Sequence, residues 1–209
     1  MEEKELEILL AATEEFSEKG FFQTKTEDIA NRAGVSKGLV FHYFKSKKNL
    51  YNQVVKVAIQ KLEELFDYTQ FPNESLVNLF DYSLKRKFEI AESHAAEMAL
   101  MLDVYGNLEK LPEELQKEIF EYIEKMKTDS YEMIAQIIRQ MPIREGVREE
   151  DVVKLILTVF NQVEIEANQQ MSGTKITDYH FFVLIIGEAS RQVQILESGF
   201  LKQIRKRRN

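Results

Sequence analysis

Apolar residues return every three or four positions along nearly the whole chain, and that period limits the fold more than any other feature. Leu6, Leu9, Thr13 and Phe16 trace one such stripe, and Leu50, Val54, Val57, Lys61 and Leu65 trace another. The strict alternation of a half-buried strand is absent, and only three prolines and eight glycines interrupt 209 residues. The pattern predicts an all-α chain with helices over 4–19, 26–33, 37–43, 47–69, 74–92, 95–105, 113–140, 149–170 and 178–204. Gly20 stands where a left-handed C-terminal cap is usual. Pro72 and Pro112 stand at helix starts, Pro142 and Gly146 close the helix begun near Pro112, and "SGTKITD" at 172–178 is the last clear loop. Three helices at the front and six behind them divide the chain into an expected domain of residues 1–50 and a second of residues 51–209.

Charge is spread unevenly over these helices. The whole chain carries −7, yet the stretch from Phe21 to Lys56 holds seven basic residues against two acids, so it stands at +5 and the remainder at −12. A net acidic chain does not coat nucleic acid along its length, but a local basic face can still bind it. The absence of cysteine excludes disulfides and thiolate metal sites. The start, "MEEKELEILL", is acidic where a secretory signal is basic, and the apolar run "FFVLII" at 181–186 is far below the roughly 18 residues of a membrane span. The expectation is a cytoplasmic protein with no membrane partner.

The basic window has an internal order. Thr26 precedes Glu27 and Asp28 and can cap a helix whose positive end those acids face, while Thr24 is a rival cap by the spacing Thr24-x-x-Glu27. Ile29 faces inward, and small Ala30 lets a second helix pass close. Gly34 supplies a sharp turn, and Ser36 can cap the helix that follows. That helix opens on Lys37, Gly38 and Leu39. A helix entering a major groove N-terminus first uses such residues, with Lys37 able to donate to guanine acceptors and Gly38 permitting close approach. Phe41, Tyr43, Lys45, Lys47 and Lys48 follow as a rim able to hold phosphates. Phe44 is assigned to the core, Phe41 to packing, and His42 is a further candidate for touching DNA.

Residues 6–50 resemble the DNA-binding domain of the TetR family of bacterial transcriptional regulators. The motifs A-x-x-x-F-x-x-x-G-F, T-x-x-I-A-x-x-A-G-V-S-x-G and H-Y-F-x-S-K-x-x-L all occur here, in order and spacing. The resemblance implies a helix-turn-helix head, with Thr26, Ser36, Lys37, Gly38, Leu39, Tyr43 and Lys47 at positions that meet DNA and with Tyr43 and Lys47 on phosphates. It also implies a double-stranded DNA operator, a homodimer, and a body that releases DNA when a small-molecule effector fills a pocket. The family often carries tyrosine where this chain has Phe41, which removes one phosphate hydrogen bond.

In the body, "VVKLILTVF" at 152–160 and "FFVLII" are apolar on more than one face, so one face can fill a core while another meets a second copy. The expectation is a homodimer through residues 149–170 and 178–200, built as a four-helix interface. Pocket candidates are Phe80, Leu84, Phe88, Met98, Met101, Leu102, Tyr122 and Tyr131, because methionines and aromatics line adaptable apolar cavities. Asn161 and Glu164 interrupt an apolar helix and point into a cavity, across the dimer, or onto a wet rim. A carboxylate-bridged metal bundle needs Glu-x-x-His pairs, but Ala91 and Thr177 stand three residues before His94 and His180. With no glycine-rich phosphate loop and no G-x-S-x-G elbow, neither enzyme, metal nor cofactor is expected. The competing reading is a helical adaptor for protein partners, which leaves residues 24–48 without a purpose.

Overall fold

The computed structural model describes residues 2–66, 72, 75–170 and 179–200, with 126, 130, 163–170, 179–186, 188, 189 and 200 described for their backbone alone. Every regular element among the described residues is a helix. They run α1 (Glu3–Gln23), α2 (Thr26–Arg32), α3 (Lys37–Phe44), α4 (Lys47–Leu65), α5 (Leu76–Ser93), α6 (Ala95–Asn107), α7 (Glu113–Ile138), α8 (Glu149–Gln170) and α9 (Tyr179–Phe200), with a 3-10 turn over Leu108–Lys110. None of the described helices is long and apolar enough to cross a membrane. The all-α class read from the 3.6-residue period is the observed one.

Two compact units divide the chain. The first takes in Met1–Phe66 and Ser93–Lys125, the second Asp67–Glu92 and Met126–Asn209. The expected head of residues 1–50 lies inside the first unit, which also holds the rest of α4, all of α6 and the start of α7. Its core joins Ile8, Ala12 and Phe16 of α1 to Ile29, Val40, Leu50 and Val54, and then to Leu100 and Val104 of α6 and Leu115 and Ile119 of α7. The head is therefore closed by helices that come later in the chain. Tyr51 is fully buried there, meeting Phe16 at 4.8 Å and Phe21 at 5.0 Å in edge-on contacts.

Gly20 breaks α1 at φ 69°, and a Cβ there would come within 3.3 Å of the Asp103 carboxylate on α6. Glycine thus serves both a left-handed turn and the close passage of α6. Thr24 seals the break: its buried hydroxyl donates to the carbonyls of Glu15 at 3.0 Å and Gly20 at 2.8 Å. This corrects both capping expectations for α2. Thr26 is its first residue, Thr24 faces back into α1, and the N-cap is Lys25, which makes no side-chain cap hydrogen bond.

The second unit packs Leu76, Leu79 and Phe80 of α5 against Ile134, Ala135 and Ile138 of α7, Val152, Val153 and Ile156 of α8, and Val193 of α9. The α5 helix starts later than expected, with Ser75 accepting from the Asn78 amide at 3.1 Å. "VVKLILTVF" is apolar on several faces as expected: Val152, Val153 and Ile156 are buried, while Leu155 remains 47 % exposed. The side chains of "FFVLII" and the expected helical residues 67–69 and 201–204 lie outside the described residues.

Candidate nucleic-acid interface

The turn between α2 and α3 forms as its residues dictate. Gly34 takes φ 64°, and the Ser36 hydroxyl accepts from the Leu39 amide at 3.2 Å, starting α3 cleanly. Val40 and Phe44 anchor α3 in the core, and Leu39 and Tyr43 are half-buried against it. Lys37, Gly38, Phe41 and His42 remain exposed, followed by exposed Lys45. Positions i, i+1, i+4 and i+5 share one face of a helix, so Lys37, Gly38, Phe41 and His42 make an outward stripe, and exposed Lys45 follows just past the helix end. Phe44 is core as expected. Phe41 is not, and at 40 % exposure it belongs to the outward face. Of its two sequence readings, rim and packing, the exposure removes packing, in keeping with its spacing of four from Lys37. An exposed phenyl ring at this place can meet the methyl group of thymine. A Cβ added to Gly38 would meet only the Ser36 hydroxyl, at 3.8 Å, so fold packing does not require glycine there.

Most of the positive charge in this window is already engaged. Arg32 is held by three carboxylates of α1, Glu14 at 2.7 Å, Glu15 at 2.8 Å and Glu18 at 3.0 Å, which raise its pKa further. Buried Glu15 also pairs with Lys19, which reaches Asp28, so α1 and α2 are joined by a charge network. Lys37 pairs with Glu27 at 2.8 Å, and its ammonium holds that carboxyl below the usual range. Lys45, at φ 62°, donates to the His42 carbonyl. Lys48 pairs with Glu114, and Lys56 lies over the ring of Tyr122.

Lys47 differs most from its expected role on phosphate. Its ammonium donates to the carbonyls of Phe21 at 2.8 Å and Thr24 at 3.1 Å, and it sits 4.6 Å from the centroid of the Phe21 ring. Burial pushes its pKa down from the ordinary lysine range. In this structure it closes the end of α1 against the start of α4. The cap of α4 is Ser46, accepting from the Asn49 amide at 3.1 Å.

Tyr43 directs its hydroxyl at Glu2, 2.5 Å away, and this carboxylate raises the tyrosine pKa. A phosphate approaching Tyr43 must displace Glu2 and meets its charge. Glu2→Gln should therefore tighten DNA binding about two- to fivefold, in line with the ~0.5–1 kcal/mol of one exposed charge interaction. Titration of both variants on the same duplex tests this, and unchanged or weaker binding would contradict it.

Residues 8–54, the span that holds this turn, match the model of the bacterial regulatory proteins of the tetR family. This stretch is a TetR-family DNA-binding head. The HTH-type transcriptional repressor KstR2 of Mycolicibacterium smegmatis is 28% identical over 138 residues, which are 64% of this chain and 62% of that protein, just under two thirds of its length. The biofilm operon negative regulator IcaR of Staphylococcus aureus is 27% identical over 154 residues, 73% of this chain and 78% of that one. Among solved structures, a TetR-family regulator from Mesorhizobium loti superposes with a TM-score of 0.71 at 20% identity, covering 95% of this chain and 97% of its own. FadR of Bacillus subtilis, solved in complex with stearoyl-CoA, gives 0.61 at 18% identity, covering 93% and 98%. At such identities these likenesses carry the all-helical fold alone.

The pocket residues expected from the sequence fall in both units. Met98, Met101, Leu102 and Tyr122 lie in the first, where Met101 is buried in the same core as α1 and α4. Phe80, Leu84 and Tyr131 share the core of the second, with Phe80 4.7 Å from the ring of Phe160. Phe88 is also buried in that unit, on α5. Asn161 is exposed, which removes the reading that it points into a cavity of the single chain. The side chain of Glu164 lies outside the described residues. Among the described residues no group of acids and histidines is placed to hold a metal ion.

Proposed function

We propose that this TetR-family regulator is a repressor that binds a palindromic DNA operator as a homodimer and releases it when a small-molecule effector occupies the helical body. The observation that carries the reading is the outward stripe of α3, Lys37, Gly38, Phe41 and His42, continued by exposed Lys45 at its end, on a helix fixed from behind by Val40 and Phe44. Lys37 and Phe41 supply base-edge contacts, His42 and Lys45 flank them, and Tyr43 reaches phosphate once Glu2 has moved. Thr26, Ser36 and Leu39 support this surface, Ser36 through its cap and half-buried Leu39 through its packing against the core. KstR2 and IcaR are by name negative regulators, which favours repression as the output.

Dimerisation through residues 149–170 and 178–200 is supported by large apolar side chains left in solvent on both helices, Leu155 at 47 % and Ile195 at 73 % exposure. Two heads held by one body can enter successive major grooves, about 34 Å apart. An effector that favours another spacing lowers operator affinity by its differential binding, passed through α4. The FadR neighbour holds stearoyl-CoA, so ligands with a long acyl chain are the first class to screen.

Nuclease footprinting on the DNA upstream of the chain's own gene should give one protected palindrome, with half-sites about one helical turn apart. Absence of protection at low salt on that DNA and on genomic fragments would overturn the reading in favour of an adaptor. The double substitution Leu155→Glu, Ile195→Glu should yield monomers in sedimentation and weaken operator binding on the order of 100-fold by loss of the linked second half-site. A dimer with full operator affinity would contradict this interface.

A further inference from the structure

Helices α4 and α7 meet along a polar edge with a regular step. Lys48 is paired with Glu114, Asn52 donates its side-chain amide to Glu118, and the Lys56 ammonium lies 6.0 Å from the ring centroid of Tyr122. The partners advance by four on each helix, 48, 52, 56 against 114, 118, 122. Equal steps of the same sign mean that the helices run parallel and that each row stays on one helical face. Immediately beside the rungs, Tyr51 and Val55 of α4 and Leu115 and Ile119 of α7 are buried in the core of the first unit.

The apolar strip and the polar edge do different things. Burial of Tyr51, Val55, Leu115 and Ile119 in one core ties both helices to the first unit, but apolar contact is non-directional and permits rotation and sliding. Polar pairs at a partly exposed edge contribute little to stability. Three of them at one period nevertheless favour a single rotation and register, since a slip of α4 by one residue turns all three rungs off the shared face. Only Lys45 and Ser46 separate α3 from α4, so a rotation of α4 is passed directly to the reading helix.

We propose that Glu114, Glu118 and Tyr122 are positioning residues for DNA reading, which act through Lys48, Asn52 and Lys56 to fix the rotation of α4 and the presentation of α3. This rests on the DNA-reading function proposed above. None of the six belongs to the outward stripe of α3, and no local sequence pattern connects segments more than 60 residues apart.

The test uses the full-length chain with Glu114→Gln, Glu118→Gln and Tyr122→Leu combined, titrated on the footprinted operator and on scrambled DNA. Operator affinity should fall about tenfold, the worth of roughly one misplaced base contact, while scrambled-DNA affinity stays within about twofold. The melting temperature should move by less than about 3 °C, since the pairs are partly exposed and leucine keeps an apolar side chain where Tyr122 packs against the core. Asn52→Glu with Glu118→Gln reverses donor and acceptor in the middle rung and should keep wild-type discrimination, whereas Glu118→Gln with Asn52→Leu should lose part of it. A triple variant that keeps wild-type discrimination overturns the proposal. So does one whose affinities for both DNAs fall together with its melting temperature, since that is a plain structural role. If the wild type itself does not distinguish operator from scrambled DNA, the DNA-reading function fails and this proposal with it.

Discussion

Lys47→Met should destabilise the chain by about 2–3 kcal/mol, the scale of hydrogen bonds made by a charged donor, and should weaken operator and scrambled DNA alike. Methionine keeps the stem that packs near Phe21, so the loss is confined to the ammonium and the carbonyls of Phe21 and Thr24 that it satisfies. Those carbonyls end α1 where Gly20 has already broken it, and the segment leads straight into α2. Once it loosens, the turn before α3 loses its support. Chemical denaturation and a salt series of DNA titrations check this together. A variant of wild-type stability whose salt slope falls by about 1 would instead make Lys47 a simple phosphate contact.

Gly38→Glu should do the reverse, leaving the fold intact and abolishing DNA binding. The new Cβ meets nothing closer than the Ser36 hydroxyl at 3.8 Å, and Gly38 is exposed in the first turn of α3. Replacing glycine in a helix gains about 0.5–1 kcal/mol, and an acid near a helix N-terminus adds to that. Stability should therefore be equal or higher. On the DNA side, the same carboxylate would sit where a groove wall must approach. Like-charge juxtaposition of several kcal/mol reduces operator affinity by about 100-fold or more. Thermal melting with anisotropy titration separates the two effects. A Gly38→Glu protein that still binds its operator would show that another face reads DNA.

The reading turn is legible in the sequence because its chemistry is local. Gly34 needs a positive φ, Ser36 has an amide to cap three residues on, and Phe44 has to be buried; each is realised. Local chemistry also misleads. Thr24 and Thr26 both satisfy capping rules, but the hydroxyl of Thr24 donates back to the α1 carbonyls of Glu15 and Gly20 instead of capping α2. Phe41, placed both in the rim and in packing by its sequence, is outward because the two inward places on its helix are filled by Val40 and Phe44.

The partners of the lysines are beyond reach for a different reason. Lys48 meets Glu114 and Tyr43 meets Glu2 only after the chain has folded back on itself, and no periodicity announces such pairs. A count of +5 for the window is therefore correct as arithmetic and too generous as a measure of charge offered to DNA. The body is legible as helices and as apolar faces. Which apolar residues share a core is not, because Met101 of α6 joins the reading head while Phe80 of α5 joins the second unit.

The central claim is that α3 reads a specific DNA sequence from an otherwise acidic chain. Fluorescence anisotropy of the full-length protein on its own upstream DNA and on scrambled DNA, from about 50 to 200 mM salt, tests it most directly. Binding to the upstream DNA should be at least ~1,000-fold tighter than to scrambled DNA at physiological salt, with a slope of only a few phosphates because so many basic groups are engaged within the fold. Equal, weak affinity for both DNAs at every salt concentration would contradict it.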